Sequence, residues 1–446
     1  MELISEYFVK PKHEVLASKN PIYLAPIEIC MLGIDPIQRG LLYNYTHDQS
    51  TSSTILNIID TLKESLSIAL VHFYPLAGRF VTETFTDEKA CSVFIDCNKG
   101  PGTRLTHVTA PGVTKLDILS PDHVPVIVKS FFELGEEILN YDCHTRPLLS
   151  IQVTELVDGV FIGFTMSHSA GDGTSFMHFM SMLSEIFCSS NPSEKLLDIS
   201  RVPVYVHGPC NKLPLHRLEE IMNIREIRSL IDRVFHFSAK SLALIKAKAN
   251  KDRSNPNVSS FQGLCSLIWK SITRARNLSA DQETACIMVI NTRPRLDPPL
   301  SDNYFGNYIS QLRVVSKVDE LLGHDFDWAA IRLNDGVKAQ DDKSIRNTLN
   351  WVAELISTVG LSSLGEDIQG PNGVVIGGSI RFDIYGLEFG LGKAVAVRMG
   401  LGSKTDGKIT AHPGCEGGGS VDLEVSLEEE HMTSLEMDHE FMCFVS

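Results

Sequence analysis

Several features that mark other classes of protein are missing from this 446-residue chain. It has no clustered run of Lys and Arg, and its formal net charge is −15. Because nucleic acids and anionic membranes are bound by clustered basic side chains, this charge argues against both as partners. No run of 18 apolar residues occurs, and the first residues show no basic segment followed by an apolar one. We therefore expect a cytoplasmic protein without membrane insertion.

The ten cysteines form no C-x-x-C pair and lie in no group with histidine at metal-ligand spacing. Neither a disulfide framework nor a zinc site is expected from such scattered positions. We interpret them as reduced thiols of the protein core, and we expect no bound metal. They are Cys30, Cys91, Cys97, Cys143, Cys188, Cys210, Cys265, Cys286, Cys415 and Cys443.

Length and composition indicate a folded protein with two domains. The chain is two to three times as long as a typical domain of about 150 residues, and its 43% apolar and 21% charged residues are typical of soluble folded proteins. A segment rich in proline and charge, including the run from Arg217, is typical of a crossover between halves. We predict an N-terminal domain over 1–200, a linker over 201–232 and a C-terminal domain over 233–446.

Local patterns predict alternating helices and strands, as in an α/β chain. Apolar residues at helical spacing over 62–73 predict a helix that ends before Pro75, with a strand starting near Arg79. Ser238 is predicted to head a later helix. The pair Ser259 and Gln262 has the spacing of a capping box at the start of another.

A hairpin is predicted over 149–168. Alternating residues flank Asp158-Gly159, which indicates a type I′ turn, and the second strand runs to His168. After Gly171-Asp172-Gly173, apolar residues at helical spacing predict a buried helix. His168 therefore lies between a strand and a helix N-terminus, beside glycines that allow close approach of a ligand.

The spacing His168-x-x-x-Asp172 marks the candidate site, although the spacing alone is weak evidence. With 15 histidines and Asp at about 5% of positions, about one such match is expected by chance. His168 could equally be a structural core histidine, and Asp172 a helix N-cap. We expect Asp172 to hold the turn rather than to face His168. Ser167 is not expected to be a nucleophile, because neighbouring strand residues point to opposite faces.

A late glycine-rich run over 386–394 does not match a phosphate-binding loop. Its glycine spacing is wrong for a Walker A motif, and Ala394 lacks the hydroxyl that binds magnesium. Val395 occupies the third glycine position of the dinucleotide-binding pattern. We interpret the run as a tight turn between strands.

Six blocks, in the correct order, resemble the plant BAHD acyltransferases over essentially the whole chain. They are 72–79, 168–173, 235–239, 261–270, 291–295 and 303–307. The family's second signature, Asp-Phe-Gly-Trp-Gly-Lys-Pro, is similar to Glu388-Phe389-Gly390-Leu391-Gly392-Lys393-Ala394. The Asp, Trp and Pro of the signature are replaced here. In the family this motif is regarded as structural, so Glu388, Phe389, Gly390 and Gly392 are expected to form a supporting turn.

The resemblance implies an α/β protein with mixed sheets, in the two-domain chloramphenicol-acetyltransferase-like fold of coenzyme A-dependent acyltransferases. It implies a channel between the domains with His168 midway along it as general base. An acyl-coenzyme A co-substrate would enter from one face and a small-molecule acceptor from the other. It further implies a monomer with no permanently bound cofactor.

The same resemblance assigns supporting roles. Arg293 is the expected partner of Asp172, and Gly171 and Gly173 are expected to shape the turn. A segment near 375–400 is expected to pack with the N-terminal domain.

The tetrahedral intermediate of acyl transfer also needs hydrogen-bond donors. Ser379 and the backbone amides of Gly377 and Gly378 are candidates, although these glycines are equally typical of a strand bulge.

The leading hypothesis is acyl transfer from a coenzyme A thioester to a hydroxyl or amine of a plant specialised metabolite. Two alternatives stay open. The replaced Leu391 and Ala394 suggest a lyase that performs elimination on the same fold. A non-catalytic small-molecule binder is the other, and intact His168 and Asp172 argue against it.

Overall fold

The strands of the described residues form three sheets. The structure is a computed structural model, and it describes residues 1–45, 55–119, 123–133, 138–189, 201–205, 208–216, 218, 229–251, 258–358, 370, 372–402 and 404–446. In chain order the strands are β1 (Glu2–Val9), β2 (Ile22–Tyr23), β3 (Ile37–Asn44), β4 (Arg79–Phe85), β5 (Ala90–Asp96), β6 (Thr103–Thr109), β7 (Leu149–Glu155), β8 (Gly159–Met166), β9 (Leu213–Pro214), β10 (Ile231–Phe237), β11 (Glu283–Asn291), β12 (Ile309–Lys317), β13 (Val374–Gly378), β14 (Ala396–Met399), β15 (Lys408–Pro413) and β16 (Val421–Leu427).

Helices lie between these strands in both halves of the chain. Those within the described ranges are α1 (Pro26–Cys30), α2 (Ile55–His72), α3 (Lys115–Ile118), α4 (Gly173–Phe187), α5 (Ala239–Ala249), α6 (Ser260–Ala275), α7 (Val318–Gly323), α8 (Phe326–Lys338), α9 (Asp342–Thr358), α10 (Glu429–Glu436) and α11 (His439–Met442). None of these helices has the length and apolar character that crossing a bilayer requires.

The first sheet has the order β1-β6-β7-β8-β3-β14, and only β6 and β7 run parallel within it. Helices α2 and α4 cover one face, and Leu62, Leu66 and Leu70 of α2 are fully buried there. The helix predicted over 62–73 and the strand predicted from Arg79 are both confirmed.

The hairpin of β7 and β8 is confirmed, but the predicted type I′ turn is wrong. A type I′ turn requires positive φ at both central residues, and neither Asp158 nor Gly159 has one. Gly159 instead pairs with Asn44 of β3, so a third strand keeps it extended. The connection is closed by a hydrogen bond from the Leu156 backbone N to the Gly159 carbonyl oxygen, at 2.9 Å.

The second sheet has the order β10-β16-β15-β13-β11-β12. Strand β13 runs parallel to both β11 and β15, whereas the other pairs are antiparallel. Helices α5, α6 and α8 pack on one face around the fully buried Trp269. The predicted capping box is confirmed, because the Gln262 backbone N donates to Ser259 Oγ at 3.1 Å and the Ser259 N donates to Gln262 Oε1 at 2.8 Å.

Mixed sheets with helices confirm the α/β class.

One strand from the second half of the sequence joins the first sheet. Strand β14, from the second half, pairs with β3 and completes the first sheet. Strand β9 pairs with β5 of the third sheet, whose other strands are β2 and β4. Much of the predicted linker over 201–232, including Arg217 and residues 219–228, lies outside the described residues.

All ten cysteines are free. The expectation that they are core thiols is wrong for Cys188, Cys415 and Cys443, which are exposed. Cysteine count and spacing carry no information on which face of an element each residue occupies, and these three lie near chain turns or helix ends.

Candidate active site

His168 lies two residues beyond the end of β8, and its side chain is only partly covered. Its backbone N donates a hydrogen bond to Asn140 Oδ1 at 2.8 Å. Asn140 is itself fully buried, and its Nδ2 donates to the Met31 carbonyl oxygen at 2.8 Å. The main chain of His168 is therefore fixed by a segment 28 residues earlier in the sequence.

The imidazole of His168 is oriented by Asn307, from the second half of the chain. Asn307 Nδ2 donates to the His168 carbonyl oxygen at 2.7 Å, and Asn307 Oδ1 lies 3.2 Å from His168 Nδ1. An amide oxygen can only accept, so His168 Nδ1 carries the proton of the neutral ring. Nε2 is left with its lone pair and is the nitrogen that can accept a proton.

The electrostatic surroundings keep His168 neutral near pH 7. Burial lowers the pKa of its imidazole below the usual 6.5, and the charge of Lys408 acts in the same direction. The negative charge of Asp172 and the Asn307 hydrogen bond oppose this pKa shift without reversing it. A neutral imidazole at physiological pH is the form that a general base requires.

Asp172 is fully buried, and hydrogen-bond donors surround both of its carboxylate oxygens. Oδ1 accepts from the backbone N of Thr174 and of Ser175, each at 3.0 Å, which makes Asp172 the N-cap of α4. Arg293 donates from Nη1 to Oδ2 at 2.7 Å and from Nη2 to Oδ1 at 3.1 Å. The Tyr308 backbone N donates to Oδ2 at 2.9 Å. The carboxylate therefore joins α4 to the second half of the chain.

The structure thus separates the two ends of the predicted pair. Asn307 is the partner of the His168 imidazole, whereas Asp172 is engaged with Arg293, which is also fully buried. The carboxylate of Asp172 therefore holds the turn before α4.

The glycines of the turn allow close packing. A Cβ on Gly171 would lie 2.9 Å from Ser175 Cβ, a distance too short for a side chain there. Gly173 begins α4, and a Cβ there would meet only Phe382, at 3.9 Å. Space therefore restricts Gly171 much more than Gly173.

The late motif turn packs on the first half of the chain. Phe389 is fully buried, with its ring centroid 5.6 Å from that of Phe187 in α4 and 5.7 Å from that of Phe164 in β8. The backbone N of Glu388 donates to Ser184 Oγ of α4 at 2.9 Å. Gly390 has a φ of +72°, a conformation that L-residues rarely adopt.

Gly392 in the same turn also has a positive φ, +74°. The two motif glycines are therefore explained by backbone conformation. The residues that replace the Trp and Pro of the family motif are also accommodated by the fold. Leu391 packs against the core, and Ala394 is buried.

The candidate oxyanion donors lie at the end of β13. Gly378 has a φ of +87°, and a Cβ there would lie 2.2 Å from the Ala411 carbonyl oxygen. Ser379 follows β13, and its Oγ accepts a hydrogen bond from the Arg381 backbone N at 3.2 Å. Gly377 lies on β13, and a Cβ there would lie 3.3 Å from Lys408 Nζ. The charge of Lys408 helps to lower the pKa of His168.

Sequence reasoning missed the residues that hold His168 in place. Asn140 and Asn307 act across 28 and 139 positions of sequence, a separation at which no periodicity gives a signal. Glu28 was also missed: it is buried, its Oε1 accepts from the Asn307 backbone N at 3.2 Å, and burial raises the pKa of its carboxyl to about 7. Only the block 303–307 pointed to this region.

Comparison with known proteins extends over the whole chain. Residues 1–442 match the model of the Transferase family. The chain is 31% identical to an uncharacterized acetyltransferase of Arabidopsis thaliana over 447 residues, 98% of each protein. It is 30% identical to the BAHD acyltransferase DCR of the same plant over 460 residues, which cover 99% of this chain and 92% of that protein.

A solved structure shows the same fold. F. graminearum TRI101, in complex with coenzyme A and T-2 mycotoxin, is similar with a TM-score of 0.74 over 96% of this chain and 99% of that one. The sequence identity is 20%, so the likeness is one of fold. It confirms the fold expected from the sequence.

Proposed function

This chain belongs to the Transferase family, the BAHD acyltransferases, and from that premise we propose that His168 is the general base of acyl transfer from a coenzyme A thioester to a hydroxyl or amine. The observation that carries the proposal is the orientation of the imidazole. Asn307 holds the Nδ1 side, and Nε2 is unprotonated on a partly exposed ring. The chain is an acyl-coenzyme A-dependent acyltransferase, and such an enzyme has a specific need for this group.

The enzyme needs a base because the leaving group and the acceptor differ in how easily they react. A thiolate leaves readily because the pKa of its thiol is about 8.5, whereas an alcohol or amine must lose a proton as it attacks. His168 Nε2 takes that proton while the acceptor atom bonds to the thioester carbonyl carbon. The carbon–sulfur bond then breaks, and the imidazolium returns the proton to the sulfur of coenzyme A. Proton transfer of this kind contributes roughly 10²–10⁴ in rate.

Other residues support this reaction without taking part in the proton transfer. Asp172 and Arg293, with Gly171 and Gly173, hold the turn that presents His168. We assign stabilisation of the oxyanion to Ser379 and neighbouring backbone amides, on the basis of their position at the end of β13.

The substrates and setting are part of the same proposal. Acyl-coenzyme A is the co-substrate, no cofactor is bound permanently, and the acceptor is a plant specialised metabolite. We further propose that the protein acts as a monomer in the cytoplasm.

The proposal is tested with labelled acyl-coenzyme A and a panel of hydroxyl and amine acceptors. Release of free thiol that depends on the acceptor, with label in the product, supports acyl transfer. Conversion of an acceptor without transfer of label identifies a lyase. Ligand binding without turnover on any thioester identifies a binding protein, and either result would overturn the proposal.

A further inference from the structure

A single short segment contacts both asparagines that hold His168. It comprises residues 25–35, with α1 and the turn after it, and we call it the α1 segment. On one side, Asn140 Nδ2 donates to the carbonyl oxygen of Met31 at 2.8 Å and to that of Asp35 at 3.2 Å. These contacts fix the Asn140 side chain, whose Oδ1 accepts from the His168 backbone N. The α1 segment therefore supports the main chain of His168 through Asn140.

On its other side, the α1 segment contacts Asn307 through Glu28. Glu28 Oε1 accepts a hydrogen bond from the Asn307 backbone N at 3.2 Å, and Glu28 Oε2 accepts one from the Ala25 backbone N at 2.8 Å. Glu28 is only 8% exposed. Because each oxygen has its own backbone donor, this carboxylate joins the start of α1 to the residue that orients the imidazole of His168.

Capping of α1 does not by itself explain why Glu28 is buried. Asp117 has the corresponding place in α3, where its Oδ2 accepts from the Thr114 backbone N at 2.8 Å, yet Asp117 is exposed. Burial raises the pKa of the Glu28 carboxyl to about 7, and the hydrogen bonds from Ala25 and Asn307 oppose this rise. Removal of a carboxylate from water is unfavourable unless hydrogen bonds replace the water. The burial of Glu28 is therefore explained by its second contact, with Asn307.

The backbone on either side of Asn307 is bound to the turn before α4. The Gly306 carbonyl oxygen accepts from the Asp172 backbone N at 3.1 Å, and the Tyr308 backbone N donates to Asp172 Oδ2 at 2.9 Å. The N–H of Asn307, between these two contacts, donates to Glu28. Glu28 thus fixes the peptide that carries the Asn307 side chain on the side away from Asp172.

We propose that Glu28 is a positioning residue for His168: its carboxylate fixes the Asn307 peptide, and the Asn307 side chain then holds the imidazole with Nε2 free to take the proton. The inference rests on the proposed function for the role of His168. Glu28 acts through Asn307 and not on the reacting atoms. A merely structural role, as the cap of α1, is the alternative that the experiments exclude.

Glu28→Asp separates positioning from capping. An aspartate in this place caps a helix, as Asp117 does in α3, but it is one methylene shorter and should lose the contact with Asn307. We expect kcat to fall by about 10-fold, less than the about 100-fold expected when the Asn307 side chain is removed, because a smaller misplacement of His168 has a smaller effect. KM for acyl-coenzyme A should stay within about 2-fold of wild type, since binding is not affected. Assays at pH 8 keep the Glu28 carboxyl ionised and His168 neutral.

Glu28→Gln is the second variant, because its amide offers one oxygen acceptor to two backbone donors. It should show a fall in kcat at least as large as that of Glu28→Asp. Asp117→Asn is the matched control, since it weakens the cap of α3 without a contact to Asn307, and it should retain wild-type kcat. Thermal unfolding followed by circular dichroism identifies a variant that fails to fold, in which case the other Glu28 variant decides.

A double-mutant cycle tests whether Glu28 acts through Asn307. In an Asn307→Ala background the side chain that Glu28 positions is absent, so Glu28→Asp should lower kcat by no more than about 2-fold further. A structural role independent of Asn307 predicts instead that the two losses multiply. Multiplied losses would overturn the proposal, as would a wild-type kcat in both folded Glu28 variants.

A spectroscopic measurement separates this inference from the proposed function. Nitrogen chemical shifts of the imidazole in histidine-labelled protein show which ring nitrogen carries the proton, and they need no turnover. The His168 signals are identified by their absence in His168→Ala. Wild type should show a single tautomer protonated on Nδ1, and both Glu28 variants a mixture of tautomers, because the Asn307 side chain is held less firmly. This mixture supports the inference even if no acyl transfer is detected, whereas the wild-type tautomer in both folded variants would overturn it.

Discussion

His168 is held by two asparagines that fix different parts of the residue. Asn140 binds its backbone N, and Asn307 binds both its carbonyl oxygen and its Nδ1. A ring held in this way keeps one tautomer and one orientation. The consequence is that the activity of this proposed base should depend on pH in a defined direction.

The pH dependence of kcat/KM for the acceptor follows from the lowered pKa of His168. Only the neutral imidazole accepts a proton, and burial lowers its pKa below 6.5, so protonation and loss of activity occur only at lower pH. We expect a plateau near pH 7 and a fall with its midpoint below pH 6.5, measured in steady-state assays across buffers of matched ionic strength. A midpoint above pH 7 would show that this group is not the base.

Asn307→Ala removes the partner of Nδ1 and of the His168 carbonyl oxygen. We expect kcat to fall by about 100-fold, because a small misplacement of a reacting group has an effect of that size. KM for acyl-coenzyme A should change little, since Asn307 acts through His168. Asn57→Ala, on the exposed surface of α2, is the control. An equal loss in both variants would contradict the positioning role.

The position of His168 was predictable, whereas its partners were not. Strand alternation and helical spacing are local signals, and they placed the histidine between β8 and α4. Asn140 and Asn307 reach it through tertiary packing, which a single sequence does not encode locally. The burial of Arg39, which lies in β3 and is only 3% exposed, was missed for a related reason: an arginine inside a strand pattern normally indicates an exposed face.

At the scale of elements, the turn before α4 joins this helix to segments of the second half of the chain. Asp172 caps α4 and also binds Arg293, which follows β11, and the backbone of Tyr308, which precedes β12. The helix start was predictable from its cap, as was that of α6 from Ser259. The conformation of the turn at Asp158-Gly159 was not predictable, because the pairing of Gly159 with β3 overrides the preference of this dipeptide for a type I′ turn.

Asp172→Ala should destabilise the fold more than it changes the chemistry of the base. It leaves Arg293 as an uncompensated buried charge, which costs about 3–5 kcal/mol, and removes the cap of α4. The measurement is the free energy of unfolding in urea. The double variant Asp172→Ala/Arg293→Met should recover part of the loss, because it also removes the uncompensated charge of Arg293. A loss below about 1 kcal/mol in the single variant would contradict the structural role.

At the scale of the whole molecule, the two halves are interlocked. Strand β14 belongs to the second half of the sequence but to the first sheet, and Phe389 packs beneath α4. We propose that domains over 1–200 and 233–446 nevertheless have separate cores, since most of the described buried apolar residues fall into two large clusters.

Because a strand of the second half completes the first sheet, we predict a single unfolding transition for the two halves. All three tryptophans, Trp269, Trp328 and Trp351, lie in the second half, so their fluorescence reports on that half alone. Far-ultraviolet circular dichroism reports on both halves. The two midpoints in guanidinium chloride should coincide, as for a cooperative transition. A circular dichroism transition that fluorescence does not follow would indicate independent domains.

The turnover of His168→Ala tests the central claim most directly. With a confirmed acceptor, we expect kcat to fall by about 10²–10⁴, the contribution of a general base, while the unfolding midpoint stays close to that of wild type. His439→Ala, an exposed histidine of α11, should retain wild-type kcat. A folded His168→Ala variant that transfers the acyl group at a rate near that of wild type would contradict the account.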